Sequence, residues 1–218
     1  MYNFILYLYI MEIVVALYKE DVSWIRNLCD KYSITVYNKS DTYPHCIDDL
    51  IKKNKINYIT LKNLGKESHT YFYHILKNYD NLPNKIFFTQ ANPFDHIIKK
   101  QIASNEFFYG LIEDFDKNQS QFKGYGAKHY LWITGIGESK IKACKKLYTT
   151  LFTNKFEDWT FRNAGIFGVT KEEILMRSKE FYLRCFESLN KEWNPPEGYA
   201  FERLWSCIFD KKYNSKIK

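Results

Sequence analysis

The chain has 218 residues and a mass of 26.2 kDa, which suits one sizeable domain with a full core. Its hydrophobic fraction of 45% and aromatic fraction of 18% exclude intrinsic disorder, and no later segment approaches the twenty or so apolar residues of a membrane helix. The net charge of +7 favours an anionic partner, for which nucleotide diphosphates, nucleic acid and anionic membranes all qualify.

Residues 1–11 read as an N-terminal extension, residues 12–210 as the domain and residues 211–218 as a basic tail. Glu12 to Tyr18 is a β-branched run typical of a strand, and Asp21 to Tyr32 follows with Val22, Ile25, Leu28 and Tyr32 at helical spacing. Ile34 to Tyr37 reads as a strand, Ile47 to Lys53 as a helix and Ile56 to Leu61 as a strand. A helix is expected from Glu67 to Tyr79, a strand from Lys85 to Thr89 and a short helix opened by Pro93. Asp114 to Lys128 reads as a long loop, either a lid or a plain excursion. Beyond it lie a strand at His129 to Thr134, a helix at Ser139 to Phe152 and a strand at Gly165 to Val169. Helices over Lys171 to Lys191 and Ala200 to Phe209 complete the pattern.

Strands alternating with helices at this spacing predict an α/β domain with a mostly parallel central sheet and helices on both faces. Such sheets bind ligands at the carboxyl ends of their strands. Four polar clusters fall there: Tyr18 to Asp21, Asn38 to Ser40, Asn63 to Glu67 and Gln90 to His96.

The five cysteines, Cys29, Cys46, Cys144, Cys185 and Cys207, include no CxxC pair and read as reduced, mostly buried thiols. With no basic n-region or cleavage site at the start, a cytoplasmic protein is expected. The sequence has no P-loop, GxGxxG, GxSxG or HExxH, and its histidines lack zinc-site spacing. Around Gly65-Lys66-Glu67 a strand turns into a helix, so backbone N–H groups and Lys66 would suit a phosphate. Equally, Glu67 would simply complement the helix dipole. Past the next strand, Gln90-Ala91-Asn92-Pro93-Phe94-Asp95-His96 offers amides, a carboxylate and an imidazole.

Six blocks resemble, in order, the family catalogued as domain of unknown function 3431. They are Val14 to Asp21 with Trp24, Val36 to Lys39, Leu64 to Tyr71, Phe88 to His96, Asn163 to Val169 with Ile174, and Phe201 to Trp205 with Ile208-Phe209. The resemblance runs from about Val14 to Phe209 and implies a divergent glycosyltransferase of the A fold, a Rossmann-like single domain. It implies transfer of a hexose or pentose from a nucleoside-diphosphate sugar to a hydroxyl of a glycan or glycoprotein acceptor. Tyr18, Glu20, Asp21, Asn38 and Lys39 would line the nucleoside pocket, Lys66 would face the diphosphate, and Asp95 and His96 the transferred sugar, with Glu67, Gln90 and Asn92 also among the donor-binding residues. Enzymes of that fold carry Asp-x-Asp for manganese or magnesium; here Gln90-Ala91-Asn92 stands in its place, leaving Asp95 as the nearest carboxylate for a metal.

Glu202 is expected in the first turn of the last helix, either as the base that takes the acceptor's proton or as a partner of the helix dipole. Two other functions stay open. One is a non-catalytic carbohydrate-binding or scaffolding domain, favoured by the missing Asp-x-Asp. The other is a nucleic-acid-binding protein, favoured by charge but not by any recognisable module, so no nucleic-acid partner is expected.

Overall fold

The computed structural model describes residues 11–94, 105–125, 128–130, 138–153, 160–162 and 165–211. Its centre is a six-stranded sheet in the order β3-β2-β1-β4-β8-β5. The strands are β1 (Met11–Leu17), β2 (Ser33–Asn38), β3 (Asn57–Thr60), β4 (Lys85–Gln90), β5 (Lys123–Gly124) and β8 (Phe167–Thr170). β3, β2, β1 and β4 are parallel, whereas β8 runs antiparallel to β4 and pairs with β5. A separate antiparallel pair joins β6 (Lys128–Tyr130) to β7 (Thr160–Arg162).

The expected mostly parallel sheet with helices on both faces is present. Alternation along β1 shows why: Ile13, Val15 and Leu17 enter one core, and Val14 enters the other. β4 divides likewise, with Phe87 on the first side and Ile86 and Phe88 on the second. The second core is closed by α2 (Lys66–Asn78), α4 (Glu138–Leu151), α6 (Lys179–Leu189) and α7 (Pro196–Phe209). The first is closed by a 3-10 turn at Ser23–Asn27, by α1 (Asp48–Lys52) and by α3 (Asn105–Asn118). Trp205 and Phe209 of α7 stack with rings 5.9 Å apart in the second core, as the helical spacing predicts.

Several boundaries differ from the sequence reading. The amphipathic run after Asp21 is a 3-10 turn and not a helix of three turns; Asp21 closes an Asx turn on Ser23, accepting its N–H at 2.8 Å and its hydroxyl at 3.0 Å. Trp24, Ile25, Leu28 and Tyr32 are buried all the same, so burial required the spacing without requiring an α-helix. The loop expected from Asp114 starts later, because α3 runs to Asn118 and buries Phe108, Ile112 and Phe115. Those three positions follow i, i+4, i+7 spacing, a helix signal hidden by the polar residues around it.

The helix expected over Lys171 to Lys191 is two helices, α5 (Lys171–Leu175) and α6. Thr170 caps α5 in a capping box with Glu173, and Ser178 starts a new helix by accepting Phe181 N–H at 3.2 Å. At the break the buried Arg177 turns inward and donates to Ile208 O at 3.0 Å and Cys207 O at 3.1 Å, tying α5 to the end of α7. The helix expected after Pro93 and the strand beyond Tyr130 lie outside the described residues.

Candidate functional site

The chain passes from β1 through β2 to β3 on one side and then returns to place β4 on the other side of β1. The carboxyl ends of β1 and β4 therefore flank a topological switch point, where open α/β sheets form a crevice. A cleft of about 820 Å³ lies there, lined by Ala16, Leu17, Tyr18, Glu20, Lys39, Asn63, Lys66, Glu67, Gln90, Asn92 and Trp193. A second cavity of about 640 Å³ adjoins it over β2 and β3 and shares Tyr18, Lys39 and Asn63 with it. Tyr43 and Tyr58 stand in this second cavity, their rings 6.0 Å apart. Both volumes fall in the range of small-molecule sites.

Of the binding residues read from the sequence, Tyr18, Glu20, Lys39, Lys66, Glu67, Gln90 and Asn92 come together in the cleft. Asn38 lines the adjoining cavity, where its amide donates to Thr42 O at 2.9 Å and to the Tyr58 hydroxyl at 2.9 Å. Its Oδ1 accepts Ser40 N–H at 2.9 Å, so Asn38 shapes the loop after β2. Asp21 lines neither cavity. Asp95 and His96 lie outside the described residues.

The turn into α2 is unusual. Gly65 has φ +60 and Lys66 has φ +54, and Gly65 N–H donates to Glu192 O at 2.8 Å. A Cβ on Gly65 would meet Cβ of His69 and of Leu189 at 2.7 Å, so only glycine fits both the backbone angle and the space. The Lys66 ammonium lies 3.4 Å from the centroid of the Tyr199 ring, a close cation–π contact.

Lys39 is buried, and its Nζ donates to Leu64 O and to Lys66 O. Burial pushes its amine down to about 7, against the attraction of Glu67. Glu67 is half-buried beside it; burial first, then the neighbouring charge of Glu202, raises its carboxyl above the usual range. His69, two residues on, is held at about 4 by burial and then by the Lys39 charge.

Glu202 is not in the first turn of α7. Pro196 opens that helix, Pro being well suited to the first helical position, so Glu202 lies a full turn further in and no longer serves the dipole. It lines a small recess of about 20 Å³ with Phe122, Arg162 and Trp205, with Oε2 3.4 Å from Arg203 Nη1, and does not line the cleft.

The end of β4 offers a poor ligand set for a dication. Gln90 Nε2 donates to Asn92 O at 2.8 Å and Asn92 Oδ1 accepts Phe94 N–H at 3.3 Å, which leaves neutral amides where Asp-x-Asp would place carboxylates. No group of three or more His, Cys, Asp or Glu able to hold a metal ion is found among the described residues. The described residues at this strand end do not fit manganese or magnesium.

The sequence reading missed Trp193, whose side chain is 65% exposed at the cleft, and the tyrosine pair of the second cavity. A lone Trp in the polar stretch Asn190 to Pro195 was the available signal, because a loop has little core in which to bury it. Among the described residues no helix is long and apolar enough to cross a membrane.

The chain belongs to the family described as "Protein of unknown function (DUF3431)", which matches residues 13–217. No curated protein sequence matches it. Among solved structures it is similar to 4-diphosphocytidyl-2C-methyl-D-erythritol synthase from Anaerococcus prevotii DSM 20548, with 12% identity, a TM-score of 0.39, and 88% of this chain and 81% of that chain covered. A second structure of a 4-diphosphocytidyl-2C-methyl-D-erythritol synthase shows 8% identity, a TM-score of 0.35, and coverage of 89% and 96%. Both TM-scores fall below 0.5, so the fold stated above rests on strand order and direction.

Proposed function

We propose that the cleft binds a nucleoside-diphosphate sugar and transfers its sugar to a hydroxyl of a glycan or glycoprotein acceptor. The observation that carries this reading is the pair of joined cavities at the switch point, with Lys39 at their junction and exposed aromatics on the rim. The cavity over β2 and β3, with Tyr43 and Tyr58, takes the base, since aromatic faces stack on planar rings. The larger cleft takes the sugar, and Trp193 and Tyr18 offer apolar faces to it.

In the reaction the acceptor oxygen bonds to the anomeric carbon while the bond from that carbon to the diphosphate oxygen breaks and its electron pair leaves with the diphosphate. The acceptor proton must pass to a base. Glu67 lines the cleft, and a carboxyl raised above its usual range is a better base than an ordinary one. Asp95 and His96, read from the sequence as sugar-side groups, stay with this proposal as its second pair of catalytic candidates. Glu202 acts on the base through its charge in this scheme.

Calorimetry with a panel of nucleoside-diphosphate sugars, with and without manganese, tests the proposal. Micromolar binding of at least one donor is expected, with little dependence on manganese because the β4 end presents amides. Failure of every nucleotide-sugar to bind ends this reading. Glycan binding without nucleotide binding would instead select a carbohydrate-binding domain, the reading favoured by the neutral Gln90-Ala91-Asn92 end of β4.

A further inference from the structure

Lys39 lines both cavities although only 7% of it is exposed. Its nitrogen donates to two backbone carbonyls, Leu64 O and Lys66 O. An ammonium has three donors and a neutral amine has two, so these acceptors are satisfied in either state and the remaining position on nitrogen changes from lone pair to N–H when the proton arrives. Neutral carbonyls do not repay the burial of a full charge, whereas an anion in the cavities would. Lys66, the other lysine of the cleft, already rests its ammonium on the Tyr199 ring.

We propose that the Lys39 amine, and not that of Lys66, receives the diphosphate of the ligand where the two cavities meet, and that binding there carries one proton into the protein. The proposal rests on the reading of the cleft as a nucleotide-sugar site. Glu67 and His69 on α2 interact with the Lys39 charge, and the other titratable groups lining the same cavities are Lys66 on α2, Tyr18, Lys19 and Glu20 after β1, Asp41 and Tyr43 after β2, Tyr58 on β3 and Lys62 after it. His69, held at about 4, is neutral on both sides of pH 7 and does not take the proton. Glu67 is the competing acceptor, because its carboxyl is raised. Burial pushes Lys39 to about 7, so near pH 8 the free amine is mostly neutral, and a phosphate beside it restores the charged form.

The measurement is calorimetry of uridine and guanosine diphosphate hexoses in buffers of differing ionisation enthalpy, because a diphosphate diester has no proton of its own to exchange near neutrality. About one proton should be taken up near pH 8 and almost none near pH 6, with affinity falling roughly tenfold per pH unit above 7. Lys39→Met should bind at least about tenfold more weakly and without uptake, and Lys39→Arg, permanently charged, should bind without uptake and with a flat pH profile. Wild-type binding without uptake near pH 8, or uptake that survives Lys39→Met and disappears in Glu67→Gln, overturns the Lys39 assignment and leaves the nucleotide-sugar site standing. If no nucleotide-sugar binds but sulfate binds with uptake that Lys39→Met removes, the function proposed above falls and the Lys39 anion site stands. Absence of binding by both probes removes both.

Discussion

The stem of Glu67 occupies the space beside Gly165 where any other residue would place its Cβ, an added carbon there meeting Glu67 Cγ at 2.6 Å. The same carbon would meet the Tyr71 ring at 3.3 Å, and Tyr71 donates its hydroxyl to Gly165 O at 2.6 Å. A residue of the β7–β8 connection thereby sets where a cleft carboxylate stands. Gly165→Ala should cost about 1–3 kcal/mol by overpacking and should displace Glu67. Urea unfolding reads the first effect, and donor affinity measured beside it reads the second.

Glu67 and Glu202 were separated by the fold, one in the cleft and one in a recess of α7. Glu67→Gln should lower kcat by about 100-fold or more if it takes the acceptor's proton. Glu202→Gln should have a much smaller effect, with the pH profile of kcat displaced to lower pH because a charge that raises Glu67 is gone. A larger loss of turnover in Glu202→Gln than in Glu67→Gln would return the base to α7.

The stability of the protein should carry the signature of Lys39. Its folded value of about 7 lies below the ordinary 10.5, so between these values the unfolded chain binds a proton that the folded chain does not. Stability contributed by this group is therefore complete above the unfolded value and is lost as pH falls toward 7. Comparing wild type with Lys39→Met cancels the other groups. From about pH 7 to pH 8.5 the difference should move in favour of wild type by up to about 1.4 kcal/mol per pH unit. A constant difference across that window, from urea midpoints, would contradict the buried charge.

Arg177 closes the end of α7 from inside the second core, where it is almost completely buried. Arg177→Met keeps most of the packing and removes the guanidinium, leaving the carbonyls of Cys207 and Ile208 without these donors. A loss of about 2–3 kcal/mol is expected, in the range for hydrogen bonds to a charged group. Because α7 also carries Tyr199 against Lys66, the same variant should loosen the cleft, seen as faster amide exchange at the turn into α2.

What the sequence determined by itself was the alternation that dictates a mostly parallel sheet, the strand ends where the cleft lies, and the residues that crowd there. The β-branched run from Glu12 to Tyr18 and the helix expected from Glu67 to Tyr79 are local signals, and local physics is enough to read them. It did not determine that the run after Asp21 would be a 3-10 turn, that Arg177 would break a helix to reach Ile208, or that α7 would begin at Pro196. The Arg177 contact depends on carbonyl partners distant in the chain, whereas the turn after Asp21 and the start at Pro196 rest on local signals, an Asx turn and a first-position Pro, that the helical spacing masked. The site divides along the same line. Lys39, Lys66 and Glu67 were legible as charged residues after strands, but tertiary structure alone decided which ammonium is spent on Tyr199 and which is buried at the meeting of two cavities. It also decided that Glu202 lies off the cleft and Trp193 on its rim. The reason is that charge is a property of the residue, whereas desolvation, which changes what a charge does, is a property of everything packed around it.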